Sequence, residues 1–198
     1  MDRARAARAI EEFLRALGRA PEGPLASTPS LVADAWCDEL LAGYADDPVR
    51  ALAAGAIPTA ATTELVALRG LDVAMMCPHH LLPAHGSADV VYRPRGTVVG
   101  FGGIARAVFL ATRRLVLQED AGADIARTIV EALEAAGALC RLRLTHTCLS
   151  TRGACHPRAT VDTLAFAGSF ATPGPDRDAA LALLCAVAPQ GTPSEAAP

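Results

Sequence analysis

Cys77-Pro78-His79-His80 places a thiol and an imidazole three residues apart, and His146-Thr147-Cys148 offers a second sulfur and imidazole far along the chain. Soft sulfur combined with borderline imidazole nitrogen is a donor set that Zn²⁺ prefers in a tetrahedron. A Cys-x-x-His pair alone is as readily a buried pair as a ligand pair; the distant His-x-Cys tips the reading toward Cys77, His80 and Cys148 as metal ligands. Three protein ligands leave the fourth position to water, the pattern of a catalytic rather than a structural site, and zinc lowers the pKa of that water to about 7. His79 and His146 adjoin the ligands in sequence, and imidazole titrates near neutrality, which suits both to proton transfer.

Other residues say less by themselves. Gln118-Glu119 opens an apolar helical pattern, where a carboxylate is favoured by the helix dipole, so Glu119 alone reads as a capping or surface group. Arg106 and Arg152 are two of 18 basic residues and read equally as anion contacts or surface side chains. Cys37, Cys140, Cys155 and Cys185 fit best as small buried hydrophobes, and His85 and His156 as loop histidines.

The elements that must carry these groups fit one domain: 198 residues, 52% of them apolar, suffice for a real core. The apolar content is largely Ala interspersed with charge, and no run approaches the ~20 apolar residues of a membrane span. Met1 to Ala20 carries Arg and Glu throughout and lacks a secretory signal's apolar block, so a cytoplasmic protein is expected. Six cysteines in that compartment are expected as thiols rather than disulfides. All 18 basic residues are Arg, which excludes Schiff-base chemistry and a P-loop, whose Lys reaches the phosphates. A formal net charge of −3 with scattered basic residues gives no nucleic-acid footprint; a small-molecule substrate is expected.

Ile10, Phe13, Leu14 and Leu17 predict an N-terminal amphipathic helix ended by Pro21 to Pro24, and Thr28-Pro29 starts a second helix running to about Gly43. Residues 51–74 are mixed. Ala88 to Tyr92 and Thr97 to Phe101, joined by Arg93-Pro94-Arg95-Gly96, predict a hairpin; a helix on Ile104, Val108, Ala111 and Leu115 follows. Asp120 to Ala136 predicts a helix capped by Gly137. From Leu139 to Leu149 the period switches to two, putting Cys140, Leu142, Leu144, His146 and Cys148 on one face of a strand. Thr160 to Phe170 predicts a last strand, Arg177 to Val187 a last helix, and the rest a mobile polar tail. The expected organisation is an N-terminal helical segment (1–50), a catalytic domain (51–172) and a C-terminal helix with tail (173–198), acting as one unit.

Taken in order, Thr28-Pro29, Gly43-Tyr44, Cys77-Pro78-His79-His80-Leu81-Leu82-Pro83, Ile104-Ala105-Arg106, Leu117-Gln118-Glu119, His146-Thr147-Cys148 and Arg152-Gly153 resemble GTP cyclohydrolase I, over about residues 8–170. The resemblance implies an α+β tunnelling fold, in which antiparallel sheets of several subunits close a barrel, a homodecamer being one such assembly, with active sites at subunit interfaces. It implies zinc on Cys77, His80 and Cys148, acid/base work by His79 and His146, and guanine recognition by Gln118 and Glu119, with Phe101, Arg106 and Arg152 completing the substrate-binding set. A carboxylate at Glu119 can accept from a guanine ring N–H and amino group, which penalises adenine.

The sequence departs from the family at the other end of the substrate. Gly102-Gly103 stands where the family has Ser-Lys, Leu31 where it has Arg, and Pro78 where it has Glu. A triphosphate needs several charge-assisted partners to leave water. An Arg-for-Lys compositional bias does not explain a glycine. The expectation is therefore a zinc hydrolase that opens the imidazole ring of a guanine-type purine without triphosphate: guanine, guanosine or 8-oxoguanine. The alternatives are a standard GTP cyclohydrolase I that makes dihydroneopterin triphosphate and formate, and a non-catalytic purine-binding protein with structural zinc. A nitrile-reducing relative is disfavoured, because Cys77 and Cys148 serve better as ligands than as a nucleophile.

Overall fold

The computed structural model describes residues 1–60, 64–153 and 155–186. Its centre is an antiparallel four-stranded sheet in the order β2 (Val66–Met76), β3 (Pro83–Arg93), β5 (Gly137–His146), β6 (Val161–Gly168). Helices α4 (Phe101–Thr112) and α5 (Gln118–Leu133) lie between β3 and β5 in the chain and cover one face of this sheet. The alternation seen from residue 139 onward has its reason there: Cys140, Leu142 and Leu144 are fully buried in one cluster with Ile104, Val108, Ile125 and Ile129. Cys140 is a core residue, and its burial pushes the thiol well above its ordinary pKa.

The opposite face carries paired charge and a smaller apolar cluster. Buried Asp89 accepts from Arg141 Nε at 2.9 Å and from the Gly70 N–H at 2.8 Å, where a bulge interrupts β2 between Leu68 and Leu71. Val91, Leu139 and Phe170 pack with Ala180 and Leu184 of α7 (Pro175–Cys185). The expected end of this helix at Val187, and the polar tail, lie outside the described residues.

Helices α1 (Arg3–Ala16) and α2 (Thr28–Asp34) form the N-terminal segment. Asp2 caps α1 through the Arg5 N–H, and Gly18, with φ 71°, ends it before the prolines that the sequence suggested as its stop. After α2 the chain widens into a π-type turn over Ala35–Leu40 instead of running on as a regular α-helix. Gly43 then docks the segment onto the end of α4: its N–H donates to the Arg113 carbonyl at 2.9 Å, and Arg114 Nε donates back to the Gly43 carbonyl at 3.1 Å. A Cβ at Gly43 would stand 2.4 Å from the Leu110 carbonyl oxygen, so Gly43→Ala is expected to lower stability by about 1–3 kcal/mol. A urea-denaturation midpoint measures it; an unchanged midpoint would show that the segment docks by other contacts.

Three sequence expectations are corrected, and one stretch left unassigned is filled in. Thr97–Val99 (β4) does not form a hairpin with β3; it pairs with β1 (Ala56–Pro58), because β2 and β5 already occupy both edges of β3. Helix α5 starts at Gln118 and stops at Leu133, where Glu134 takes the left-handed conformation at φ 50°, and Gly137 opens β5 instead of capping the helix. Strand β5 ends at His146, so Cys148 does not share its face; it sits in the short turn α6 (Thr147–Ser150). The mixed stretch holds α3 (Pro48–Ala53), β1 and the long edge strand β2. Among the described residues no helix is long and apolar enough to cross a membrane.

Candidate active site

Strands β2 and β3 form a hairpin whose tip, Cys77 to Leu82, carries the Cys-Pro-His-His motif. The Cys77 N–H donates to the Leu82 carbonyl and the Leu81 N–H to the Cys77 carbonyl, both at 3.0 Å, while Leu81 adopts φ 53°. This closed loop fixes the Cys77 and His80 side chains relative to each other. Ala84 of β3 pairs with His146 of β5, so the turn that begins at Thr147 delivers Cys148 beside the hairpin tip. Thr147 secures that turn by donating its hydroxyl to the Pro83 carbonyl at 2.7 Å.

The donor atoms of Cys77, His80 and Cys148 all lie within 4.8 Å of one another. A tetrahedron with Zn–S of ~2.3 Å and Zn–N of ~2.0 Å has edges of roughly 3.5–3.8 Å, so these side chains close on such an ion with small adjustments. Cys77 is buried, Cys148 partly so and His80 exposed, which leaves one side of the group open. The residues present fit zinc. His79 Nδ1 stands 3.9 Å from Cys77 Sγ, and its ring meets that of His80 edge-on at 6.4 Å between centroids.

A cavity of about 420 Å³ adjoins this group, bounded by Cys77, His79, Gln118, Glu119, His146 and Cys148, with Val116, Leu117, Leu149 and Val161 as its apolar walls. Helix α5 supplies Gln118 and Glu119 from its first turn, where the Glu119 carboxylate also complements the helix dipole. Burial holds the pKa of His146 below the ordinary imidazole range, while the charge of Glu119 acts in the other direction. Gln118 is 2% exposed and its amide nitrogen donates to the Leu142 carbonyl at 3.0 Å, the Val161 carbonyl at 2.9 Å and Thr163 Oγ1 at 3.1 Å. Its oxygen lies 2.7 Å from His146 Nε2.

Seven of the ten residues singled out in the sequence thus converge: Cys77, His79, His80, Gln118, Glu119, His146 and Cys148. Phe101, Arg106 and Arg152 do not line the cavity. Phe101 is 62% exposed at the start of α4, the Arg106 guanidinium lies over the Phe109 ring at 5.3 Å, and Arg152 is exposed in the turn after α6. The apolar walls and Thr163 escaped the sequence reading. Val161 and Thr163 share one face of β6 by alternation, a signal that marks a shared face but not which cavity it meets.

The fold and the site together define a class: an α+β chain in which two thiols and an imidazole suited to zinc stand beside a cavity lined by an amide, a carboxylate and two further imidazoles. The chain belongs to the GTP cyclohydrolase I family, whose profile matches residues 6–184. It is similar to the GTP cyclohydrolase 1 of Leifsonia xyli subsp. xyli, at 39% identity over 173 residues, covering 87% of this chain and 90% of that one. The GTP cyclohydrolase 1 of Maricaulis maris is 37% identical over 154 residues (78% and 73% of the two chains), and that of Rhodopirellula baltica 36% over 185 residues (93% and 80%). The family membership makes the chain a cyclohydrolase, and its observed fold is α+β around an antiparallel four-stranded sheet.

Proposed function

We propose that this chain is a zinc-dependent hydrolase that opens the imidazole ring of a guanine-type purine by attack of water at carbon 8. The observation that carries the reading is the convergence of the Cys77, His80 and Cys148 donors with Glu119, His79 and His146 around one cavity. Zinc held by those three residues would supply Lewis acidity, lowering the pKa of a water to about 7. Glu119 accepts from the ring N–H and amino group of guanine and so orients the purine. His146 or His79 delivers a proton to an imidazole-ring nitrogen as the ring opens; from guanine or guanosine the resulting formamide is hydrolysed to formate, whereas 8-oxoguanine, whose carbon 8 is already at the urea level, gives a carbamate that releases carbon dioxide. The apolar walls exclude bulk water around the purine plane.

We infer further that the substrate lacks a triphosphate: guanine, guanosine or 8-oxoguanine. A Cβ at Gly103 would stand 2.7 Å from Val99 Cγ2, so Val99 already occupies the room in which a lysine at this position would begin. Leu31, in place of the family's arginine, is 63% exposed and offers no charge. A second reading, GTP as substrate and dihydroneopterin triphosphate as product, is supported by relatives named GTP cyclohydrolase 1 at 36–39% identity. A third, purine binding without turnover around a structural zinc, is separated by activity alone. Incubating the zinc-loaded protein with GTP, guanosine, guanine and 8-oxoguanine, and following products by mass spectrometry, is expected to show ring opening only of phosphate-free purines. A pterin triphosphate from GTP at low KM would sink this inference and leave the second reading; binding with no product from any of the four would favour the third.

The proposed working form is a cytoplasmic homo-oligomer, a homodecamer being one such assembly, with active sites at subunit interfaces. In support, β6 and, apart from the bridge of Met76 to Leu115, β2 each have one edge free for pairing within the described residues, and Phe101, Arg106 and Arg152 stand off their own chain's cavity. In the same reading residues 1–50, 51–172 and 173–198 are a helical segment, a catalytic domain and a C-terminal helix with tail, working as one unit.

A further inference from the structure

We infer that Gln118 is a positioning residue that fixes the orientation and tautomer of His146, with Thr163 as its anchor, and does not read the purine through its side chain. The inference rests on the acid/base role proposed above for His146.

Gln118 is the first residue of α5, and the packing of α5 on β5 and β6 carries its amide into the β5–β6 ladder. The amide nitrogen faces three acceptors, the carbonyls of Leu142 and Val161 and the hydroxyl of Thr163, at 2.9–3.1 Å. Exchanging the amide oxygen and nitrogen would set an oxygen against two carbonyl oxygens in a site that is 2% exposed, so only one orientation is admissible. With both N–H groups engaged, the amide presents its oxygen to His146 at 2.7 Å, and that oxygen can only accept.

His146 Nε2 must therefore carry a hydrogen, which leaves Nδ1 as the nitrogen free to exchange a proton with a substrate. Orientation follows from the same bond, because the ring cannot turn over without placing a carbon against the amide oxygen. This is the logic by which a buried acceptor holds a catalytic imidazole in its working tautomer elsewhere in enzymes. Reading of the guanine edge then falls to Glu119, the next residue, whose carboxylate has no hydrogen-bond partner in the chain among those described and lines the same cavity.

Gln118→Met keeps the length of the side chain and removes both functions of the amide. It is expected to lower kcat on the order of 100-fold while KM and the equilibrium Kd of the purine stay within about twofold. Thr163→Val removes one acceptor and is expected to lower kcat by about three- to tenfold, again at constant KM. Nitrogen-15 magic-angle-spinning spectra of the zinc-loaded, histidine-labelled protein, with His146 assigned through His146→Gln, are expected to show His146 as Nε2–H in the unmodified protein and as a tautomer mixture in Gln118→Met. An Nδ1–H tautomer in the unmodified protein overturns the inference, as does a purine Kd raised tenfold or more by Gln118→Met at unchanged kcat. Should Gln118→Met fail to fold, as judged by zinc content and circular dichroism, Thr163→Val and the unmodified protein's spectrum decide. Lack of turnover by the unmodified protein overturns the proposed function instead, and the tautomer and purine-binding measurements stand apart from it.

Discussion

Cys148→Ser is expected to leave a folded protein that retains less than about a tenth of its zinc after gel filtration and loses purine ring opening by at least about 1,000-fold. The loss follows from the donor set. Cys77, His80 and Cys148 bring their donor atoms within 4.8 Å of one another, and two ligands cannot hold in place an ion that three hold. The fold survives because Cys148 lies in a four-residue turn outside the sheet, only partly buried, and contributes nothing to the core behind β5. The contrast is Cys140→Ala, which leaves a cavity in that core and is expected to lower the thermal midpoint while zinc content stays whole. Zinc measured by atomic absorption on the two variants decides between ligand and bystander: full zinc and full turnover in Cys148→Ser would remove this residue from the site.

Glu119→Ala carries the second large effect, a fall in kcat/KM for the favoured purine of about 1,000-fold or more, with discrimination against adenine-type purines reduced to near unity. A carboxylate that accepts two hydrogen bonds from a partly desolvated purine contributes on the order of 4 kcal/mol, and each 1.4 kcal/mol is a factor of ten. The competing role is local. Glu119 lies in the first turn of α5, and if dipole complementation were its whole contribution, the variant would lose about 0.3–1 kcal/mol of stability and no activity. Measuring kcat/KM with guanine-type and adenine-type substrates beside a denaturation midpoint separates the two, because the two roles change different observables.

Much of the site was legible in the chain itself because metal ligation and proton transfer draw on few side-chain types. Cys77, His80 and Cys148 stand out by identity, and His79 and His146 by adjacency to them. The wall residues Val116, Leu117, Leu149 and Val161 are ordinary apolar residues in a chain that is 52% apolar, and no pattern separates a cavity wall from a core. Elements told by periodicity fared as the physics suggests. The alternation of Cys140, Leu142 and Leu144 and the helical spacing of Ile125, Ile129 and Leu133 reflect burial against one another, which local sequence must encode. The partner of Thr97–Val99 was not so encoded: a strand's side chains fix which face it buries, while its backbone pairs with whichever edge the fold leaves open.

Residue identity and order were enough to suggest the chemistry: thiols and an imidazole of a kind that can hold zinc, two further histidines and a Gln-Glu pair. How these groups are placed relative to one another was decided by folding. His146 and Cys148 reach one cavity because β5 stops and turns between them, and Gln118 faces inward to His146 because three acceptors from β5 and β6 hold its amide. Residue type fixes what a group can donate, accept or ligate; which of those capacities is used depends on the neighbours that folding brings within about 3 Å, and those neighbours come from distant parts of the chain.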